Sequence, residues 1–521
     1  MKQFNHIILS TLSAGLLLGL TGCTNSYEDY NQDPYAVNKD EMQRDAYALS
    51  SAMLNMEGWV VPADVNTNQF TECLCGGSYG GYISDSNSGF AGKNFAQYSP
   101  ENGWSRVLFK DIIPKMFIYS NQVNQITDNP VPRAVAQIIK VAGMQRVTDG
   151  YGPVPYSKVG AGGEITAPYD SQEAVYNLMF QQLDSAITTL TANRTAAFSP
   201  KADHVYSGNV EHWIKFANSL KLRMAMRISK VAPTKAKQLA EEAVSQTVGV
   251  MTSNDDNAQF TLSSTNPFEV IMYEYNGGDS RAGADITTYM NGYNDPRRGA
   301  MFTKTTFTKD NVANGYYGLR SGIAIPDGAI SHAYSNYNVK TTTPLLWMNA
   351  AEVAFLRAEG ALRGWNMGGT ARDFYETGVR LSFGQWGVSG ADSYLADKTS
   401  TPALYNDPMG LNTYSGKMSS VTIAWDDAAS METNLERIIT QKWLANFPLG
   451  QEAWSEYRRT GYPRLMPVVV NNSGGIVDSN RGARRLAYPQ EERTNNNENY
   501  LNAVSLLGGP DNMATDVWWA K

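Results

Sequence analysis

The chain has little of what metal, redox or nucleotide chemistry requires. Its 521 residues include only three cysteines and four histidines. Apart from Cys23 and His6 these are Cys73, Cys75, His204, His212 and His332. One residue separates Cys73 from Cys75, a spacing at which a disulfide would be strained, so both are read as structural. With no HExxH and no CxxC pattern, zinc is not expected. No P-loop occurs, and Gly160-Ala161-Gly162-Gly163 lacks the dinucleotide-binding spacing. Gly76-Gly77-Ser78-Tyr79-Gly80 fits GxSxG literally, but Gly81-Tyr82-Ile83-Ser84-Asp85 continues as a loop instead of the helix a nucleophile elbow needs. Charge is also sparse, with 18% charged residues, no charged block and a net charge of −7. Without a basic helix or stripe, nucleic acid is excluded as a partner.

Long apolar runs are missing too. The run from Ile7 to Leu20 is too short to span a bilayer as a stable helix, but it follows Lys2 and fits a signal h-region. Leu20-Thr21-Gly22-Cys23 then reads as a lipobox, which predicts a leader at residues 1–22 and acylation of Cys23. Each buried acyl CH₂ contributes roughly 0.8 kcal/mol, so several chains on Cys23 would anchor the protein stably in lipid. Residues 23–38 form a polar tether carrying Glu28-Asp29, a weak match to a surface-export signal.

What the chain does have is aromatics, 11% of residues with 29 tyrosines. A sugar's C–H face packs on an aromatic ring while its hydroxyls need polar partners. Core filling is the competing explanation, and composition alone favours it.

Helical periodicity organises most of the chain. It is clearest at Leu435, Ile438, Ile439, Trp443 and Leu444, broken at Phe447-Pro448-Leu449-Gly450 and resumed through Ala453, Trp454 and Tyr457 to Gly461. Further helices are predicted over 39–56, Trp104 to Ile126, Pro130 to Val147, a helix through Leu190 with Asp170 as N-cap and Glu173 as its capping-box partner, Glu211 to Ile228, Pro233 to Val248, Pro344 to Trp365 (Thr343 capping) and Ala371 to Phe383. Pairs recur without a strict repeat. The predicted fold is mainly α, a degenerate tetratricopeptide-like helix-pair scaffold with short β segments. Its single domain, 39–521, carries loop-rich inserts at 58–102, 251–343 and 384–429.

The block QKWLANFPLGQEAWSEYRRTGYP, from Gln441 to Pro463, and Arg484-Arg485-Leu486-Ala487-Tyr488-Pro489-Gln490-Glu491-Glu492 resemble the SusD/RagB family of nutrient-binding outer-membrane lipoproteins of Bacteroidota. Asp149-Gly150-Tyr151-Gly152-Pro153-Val154-Pro155-Tyr156 matches as well. The resemblance covers essentially the whole mature chain. It implies a SusD-like helical scaffold, no catalysis, and a surface-facing, lipid-anchored position capping a SusC-like TonB-dependent outer-membrane transporter. It also implies an oligosaccharide ligand held by loops; contact positions vary within the family, so none is transferred. From aromatic and polar residues in the inserts, the candidate ligand contacts are Tyr79, Tyr82, Tyr273, Tyr275, Asn276, Asp279, Arg281 and Tyr316, with Tyr317 beside the last.

Two other functions are weighed. A surface glycoside hydrolase needs paired carboxylates. Glu352 and Glu359 share a helix face about 10 Å apart, yet the family pattern AAEVAFLRAEG places them inside the scaffold, paired with Arg357, Arg363 or loop amides. A scaffold lipoprotein binding only protein is the other alternative. No cofactor is expected; structural Ca²⁺ at Asp255-Asp256-Asn257 is the one candidate, and a lone acidic turn is more often solvated.

Overall fold

A computed structural model describes residues 46–160 and 166–521. The leader, Cys23, the tether, the start of the first helix and residues 161–163 of the glycine run lie outside the described residues.

Helices dominate, and the only sheets among the described residues are three two-stranded ladders. Helix α1 spans Tyr47–Glu57. The stack proper begins with α2 (Ile112–Ile126) and α3 (Pro130–Tyr151). It continues through α4 (Gln172–Ala192), α5 (Val210–Arg227) and α6 (Pro233–Ser245), each packed against the one before. Next come α7 (Ala350–Leu362), lying on α5, then α8 (Ala371–Gln385) and α9 (Met431–Ala445), both against α7. The last, α10 (Gly450–Thr460), returns to touch α3.

Local chemistry sets the ends of these helices. The Asn129 side chain accepts from Val131 N–H ahead of Pro130, whose missing N–H costs nothing at a helix start. Helix α3 then runs four residues past the predicted end at Val147, to Tyr151, and Gly152 stops it at φ 91°. The cap of α4 is Ser171, which accepts from Ala174 N–H. Asp170, predicted for that role, accepts instead from Ser157 N–H and its hydroxyl. The sharpest correction is at Pro344 to Trp365. Leu345–Met348 is a strand, paired antiparallel with Ala258–Phe260, and Asn349 caps α7 by accepting from Glu352 N–H. Four consecutive apolar residues buried on both faces satisfy a strand as well as a helix.

The insert at 58–102 is not all loop. A short helix at Val65–Asn68, capped by Asp64, runs on as a π-helical segment, Gln69–Gly77, packed against α10. A Cβ on Gly76 would sit 2.5 Å from the Gln451 nitrogen, so glycine is what lets the two backbones meet.

A network of buried charge runs through the stack. Arg223 holds Glu352 with two hydrogen bonds of 2.7 Å. Arg227, fully buried, reaches Glu452 at 2.5 Å, Glu456 at 2.6 Å and Asp149 at 3.4 Å. Lys442 lies 3.1 Å from Glu456 and 3.4 Å from Glu452. Arg459 forks onto Glu359 and also pairs with Glu456. Burial alone would raise the Glu456 pKa, but Arg459, Lys442 and Arg227 hold it well below the carboxylate range. Glu359 and Glu452 are lowered against burial in the same way. The block around α9 and α10 thus contributes Lys442, Glu452, Glu456 and Arg459 to one cross-linked centre.

Candidate functional site

Four of the eight predicted contacts, Tyr79, Tyr82, Asp279 and Arg281, are buried. Tyr82 has no exposed surface; it stacks on Trp443 and donates its hydroxyl to the Trp443 carbonyl. Tyr79 is buried between Trp454, Phe95 and Tyr98. Neither offers a face to a ligand, because the segment carrying them folds into the core instead of looping outward.

Tyr275, Asn276, Asp279 and Arg281 do come together, but they build a turn. Asn276 adopts φ 51° and donates to Asp279, which also accepts from Gln69 and Asn87. Arg281 is buried and donates to the carbonyls of Met272, Gly277, Gly278, Ser280 and His332. Burial, partly offset by Tyr273 and Asp279, lowers its pKa to about 10. The polar capacity of Asp279 and Arg281 is thereby spent. Tyr273 is exposed, its hydroxyl bound to the Tyr337 carbonyl, and the Tyr275 hydroxyl lies 3.5 Å from Asn66.

Tyr316 lies elsewhere. With Tyr317 it edges an open cleft of about 710 Å³ between residues 288–317 and the 403–408 segment. The Arg298 guanidinium stands 4.9 Å and the Lys304 ammonium 5.9 Å from the Tyr316 ring centre. Arg298 is steered by Asn291, whose side-chain oxygen accepts from it at 2.8 Å, while the Asn291 amide donates to the Tyr316 carbonyl. Two potential polar contacts of the cleft are already engaged. Asp407 accepts from the Tyr334 hydroxyl and from three backbone N–H groups, and Asn314 is committed to Thr305 and Phe307. Tyr317 is half-buried, and Asn311 and Asn406 are exposed, with no side-chain hydrogen bond among the described residues. Leu404 adds an exposed apolar side chain. A half-exposed ring, unspent amides and cations form a surface that can stack on a sugar and bind its hydroxyls. Arg298, Lys304 and Asn406 escaped the sequence reading, since single polar residues in turns carry no pattern.

The paired glutamates face inward. Glu352 and Glu359 are 0% and 1% exposed and neither lines a cleft. Glu359 pairs with Arg363, as expected, and with Arg459; Glu352 pairs with Arg223. Arg357 instead bonds the Met367 carbonyl and covers Phe374. The void beside Glu452 is only about 20 Å³, room for one water. In the proposed calcium turn, Asp256 is committed to Lys215 and the N–H groups of Thr252 and Ser253. No three-residue His/Cys/Asp/Glu cluster suited to a metal occurs among the described residues.

The helix-pair stack and loop-walled cleft define a binding scaffold of the tetratricopeptide-like class. The chain belongs to the SusD-like family of SusD and RagB outer membrane lipoproteins, whose model matches residues 29–520. It is 54% identical to a SusD homolog from Bacteroides uniformis, with a TM-score of 0.88, over 91% of this chain and 99% of that one. A chitin-binding SusD homolog from Flavobacterium johnsoniae is 40% identical, with a TM-score of 0.86, over 91% and 98%. A SusD homolog from Bacteroides ovatus is 44% identical, with a TM-score of 0.86, over 92% and 100%. No curated protein matches the chain. No described helix is long and apolar enough to cross a membrane.

Proposed function

We propose that the protein captures a glycan at the cell surface without transforming it, anchored through acylated Cys23, and caps a SusC-like TonB-dependent transporter that imports the ligand. The observation that carries this reading is the cleft edged by Tyr316 and Tyr317, where unspent amides stand beside aromatic rings. Chitin binding by a 40% identical relative supports a carbohydrate as the class of ligand. The inward-facing carboxylates support capture over hydrolysis: a glycosidase acid must reach the glycosidic oxygen, and Glu352 and Glu359 reach only cations. Binding in so open a cleft is weak, on the order of micromolar to millimolar, because few groups are fully desolvated.

The test is a titration of the full chain in non-ionic detergent against chitin, plant and host oligosaccharides and peptides, with each mixture analysed for products. Saturable binding of an oligosaccharide without products is expected, together with a large β-barrel co-purifying from native membranes. Time-dependent product release, or binding of peptides alone, would sink the reading.

A further inference from the structure

A second open cleft, of about 650 Å³, has a different character. Lys230, Lys417, Arg464, Arg481 and Arg484 line it, Arg458 forms part of its floor, and no lining residue is acidic. In a chain of net charge −7 such a concentration of one sign runs against the average. The network carboxylates Glu359 and Glu456 neutralise Arg459, the seventh cation of the lining. Asp516 alone is shared by Arg481 and Arg484, each at 2.6 Å. Lys230, Lys417 and Arg464 pair with no carboxylate among the described residues; Lys230 donates to the Ala520 carbonyl.

The floor gives an independent sign. Arg458 is 4% exposed, yet its guanidinium donates only to neutral acceptors: the carbonyls of Asp149, Trp454 and Arg484 and the Ser455 hydroxyl. The Asp149 carboxylate is occupied by Gln145, Tyr176, Trp519 and Arg227. Burial lowers the Arg458 pKa to about 9; the Asp149 carboxylate opposes that shift and repulsion from Arg484 and Arg227 adds to it. A buried cation with no directly bonded carboxylate is costly, and an anion in the cleft would relieve it.

The cleft also carries sugar-binding features. Tyr414 and Tyr457 contribute rings and Asn480 an amide, and the lining is more polar than apolar. That composition suits a hydrated sugar acid better than acyl chains. No lining residue is shared with the Tyr316–Tyr317 cleft. The two lie on one segment, residues 403–408 facing the first and 414–418 the second, joined where Tyr414 N–H donates to the Tyr405 carbonyl at 3.0 Å.

We propose that this cleft is a second binding site and takes a saccharide bearing carboxylate or sulfate groups. Arg464, Lys417 and Lys230 meet the anionic groups at the mouth, and Arg458 sets the positive potential beneath them. The site stands whether or not the first cleft binds a neutral glycan.

The test is calorimetric titration of the full chain in non-ionic detergent. The probes are an oligogalacturonate, a chondroitin sulfate oligosaccharide and the carboxyl-reduced form of the first. Both acidic probes should bind, weakening several-fold between about 50 mM and about 200 mM salt. The reduced probe should bind about tenfold more weakly. Lys417 and Arg464 are exposed, so Lys417→Gln with Arg464→Gln spares the fold and should weaken acidic-probe binding about tenfold. Tyr317→Ala should leave it unchanged. The proposal is overturned if neither acidic probe saturates, if the reduced probe binds equally, or if the double variant loses nothing. Phosphatidylglycerol vesicles binding in place of the oligosaccharides would also overturn it, by making the site one for lipid.

Discussion

The centre of the helical stack and the Tyr316–Tyr317 cleft use the same residue types to opposite ends. In the centre, arginine, lysine and glutamate are closed on one another: Arg227 meets three carboxylates and Glu456 meets three cations. In the cleft, Arg298 and Lys304 stand over a tyrosine ring, and the Asn311 and Asn406 amides have no hydrogen-bond partner among the described residues. Charge that is fully paired defines where helices sit relative to each other. Polar groups left unpaired at a surface are what a ligand can use. This contrast explains why the conspicuous glutamates are structural while inconspicuous turn residues line the candidate cleft.

The contrast breaks most violently at Arg227. Arg227→Met leaves Asp149, Glu452 and Glu456 short of a cation, and removing one partner of a buried ion pair costs about 3–5 kcal/mol. Thermal unfolding should show a correspondingly large loss, with the glycan affinity of the remaining folded protein unchanged. An unchanged melting temperature would show that the network does not hold the stack. The wild type should also be acid-sensitive in a defined direction. Glu359, Glu452 and Glu456 titrate below the ordinary 4.5, so their stabilisation is complete above that value and is lost as pH falls through their folded pKa values.

Asp85 sharpens the comparison from the other side, as a buried carboxyl with neither oxygen hydrogen-bonded among the described residues. Burial, with repulsion from Asp279, raises its pKa to about 8 from an ordinary 3.8. The folded chain therefore holds a proton that the unfolded chain releases, and stability falls as pH rises between those two values. Asp85→Asn removes that slope. It should gain nothing near pH 4 and about 1.4 kcal/mol for each pH unit above that, reaching about 5 kcal/mol at pH 8, read from denaturant unfolding at both pH values.

The sequence legibly carried the scaffold wherever apolar residues kept one period and a cap or proline marked the end, as from Leu435 to Gly461. It misled where burial was two-sided. Leu345–Met348 has no polar face to reveal its period, and the π-helical Gln69–Gly77 follows none that a 3.6-residue template detects. The site was less legible still. Tyr316 is a candidate because it is aromatic and lies in an insert, but so do Tyr79 and Tyr82, which are core. Exposure separates them, and exposure is a tertiary property. Asp279 and Arg281 looked like ligand contacts because turn-building and ligand-binding draw on the same polar groups.

Within the cleft, the ring should matter more than any amide. Tyr317→Ala removes an aromatic platform from the cleft wall, a change worth about 1–2 kcal/mol, or roughly five- to thirtyfold in Kd. Asn406→Ala removes one exposed partner for a sugar hydroxyl, worth about 0.5–1.5 kcal/mol. Both residues have exposed surface and hold no side-chain hydrogen bond among the described residues, so neither change should move the melting temperature by more than about 1 °C. Affinity loss without stability loss is the signature that separates this surface from the stack. The size order decides the binding mode: a larger loss at Asn406 than at Tyr317 would mean that hydroxyl recognition outweighs stacking. Equal, near-zero losses at both would move the glycan out of this cleft.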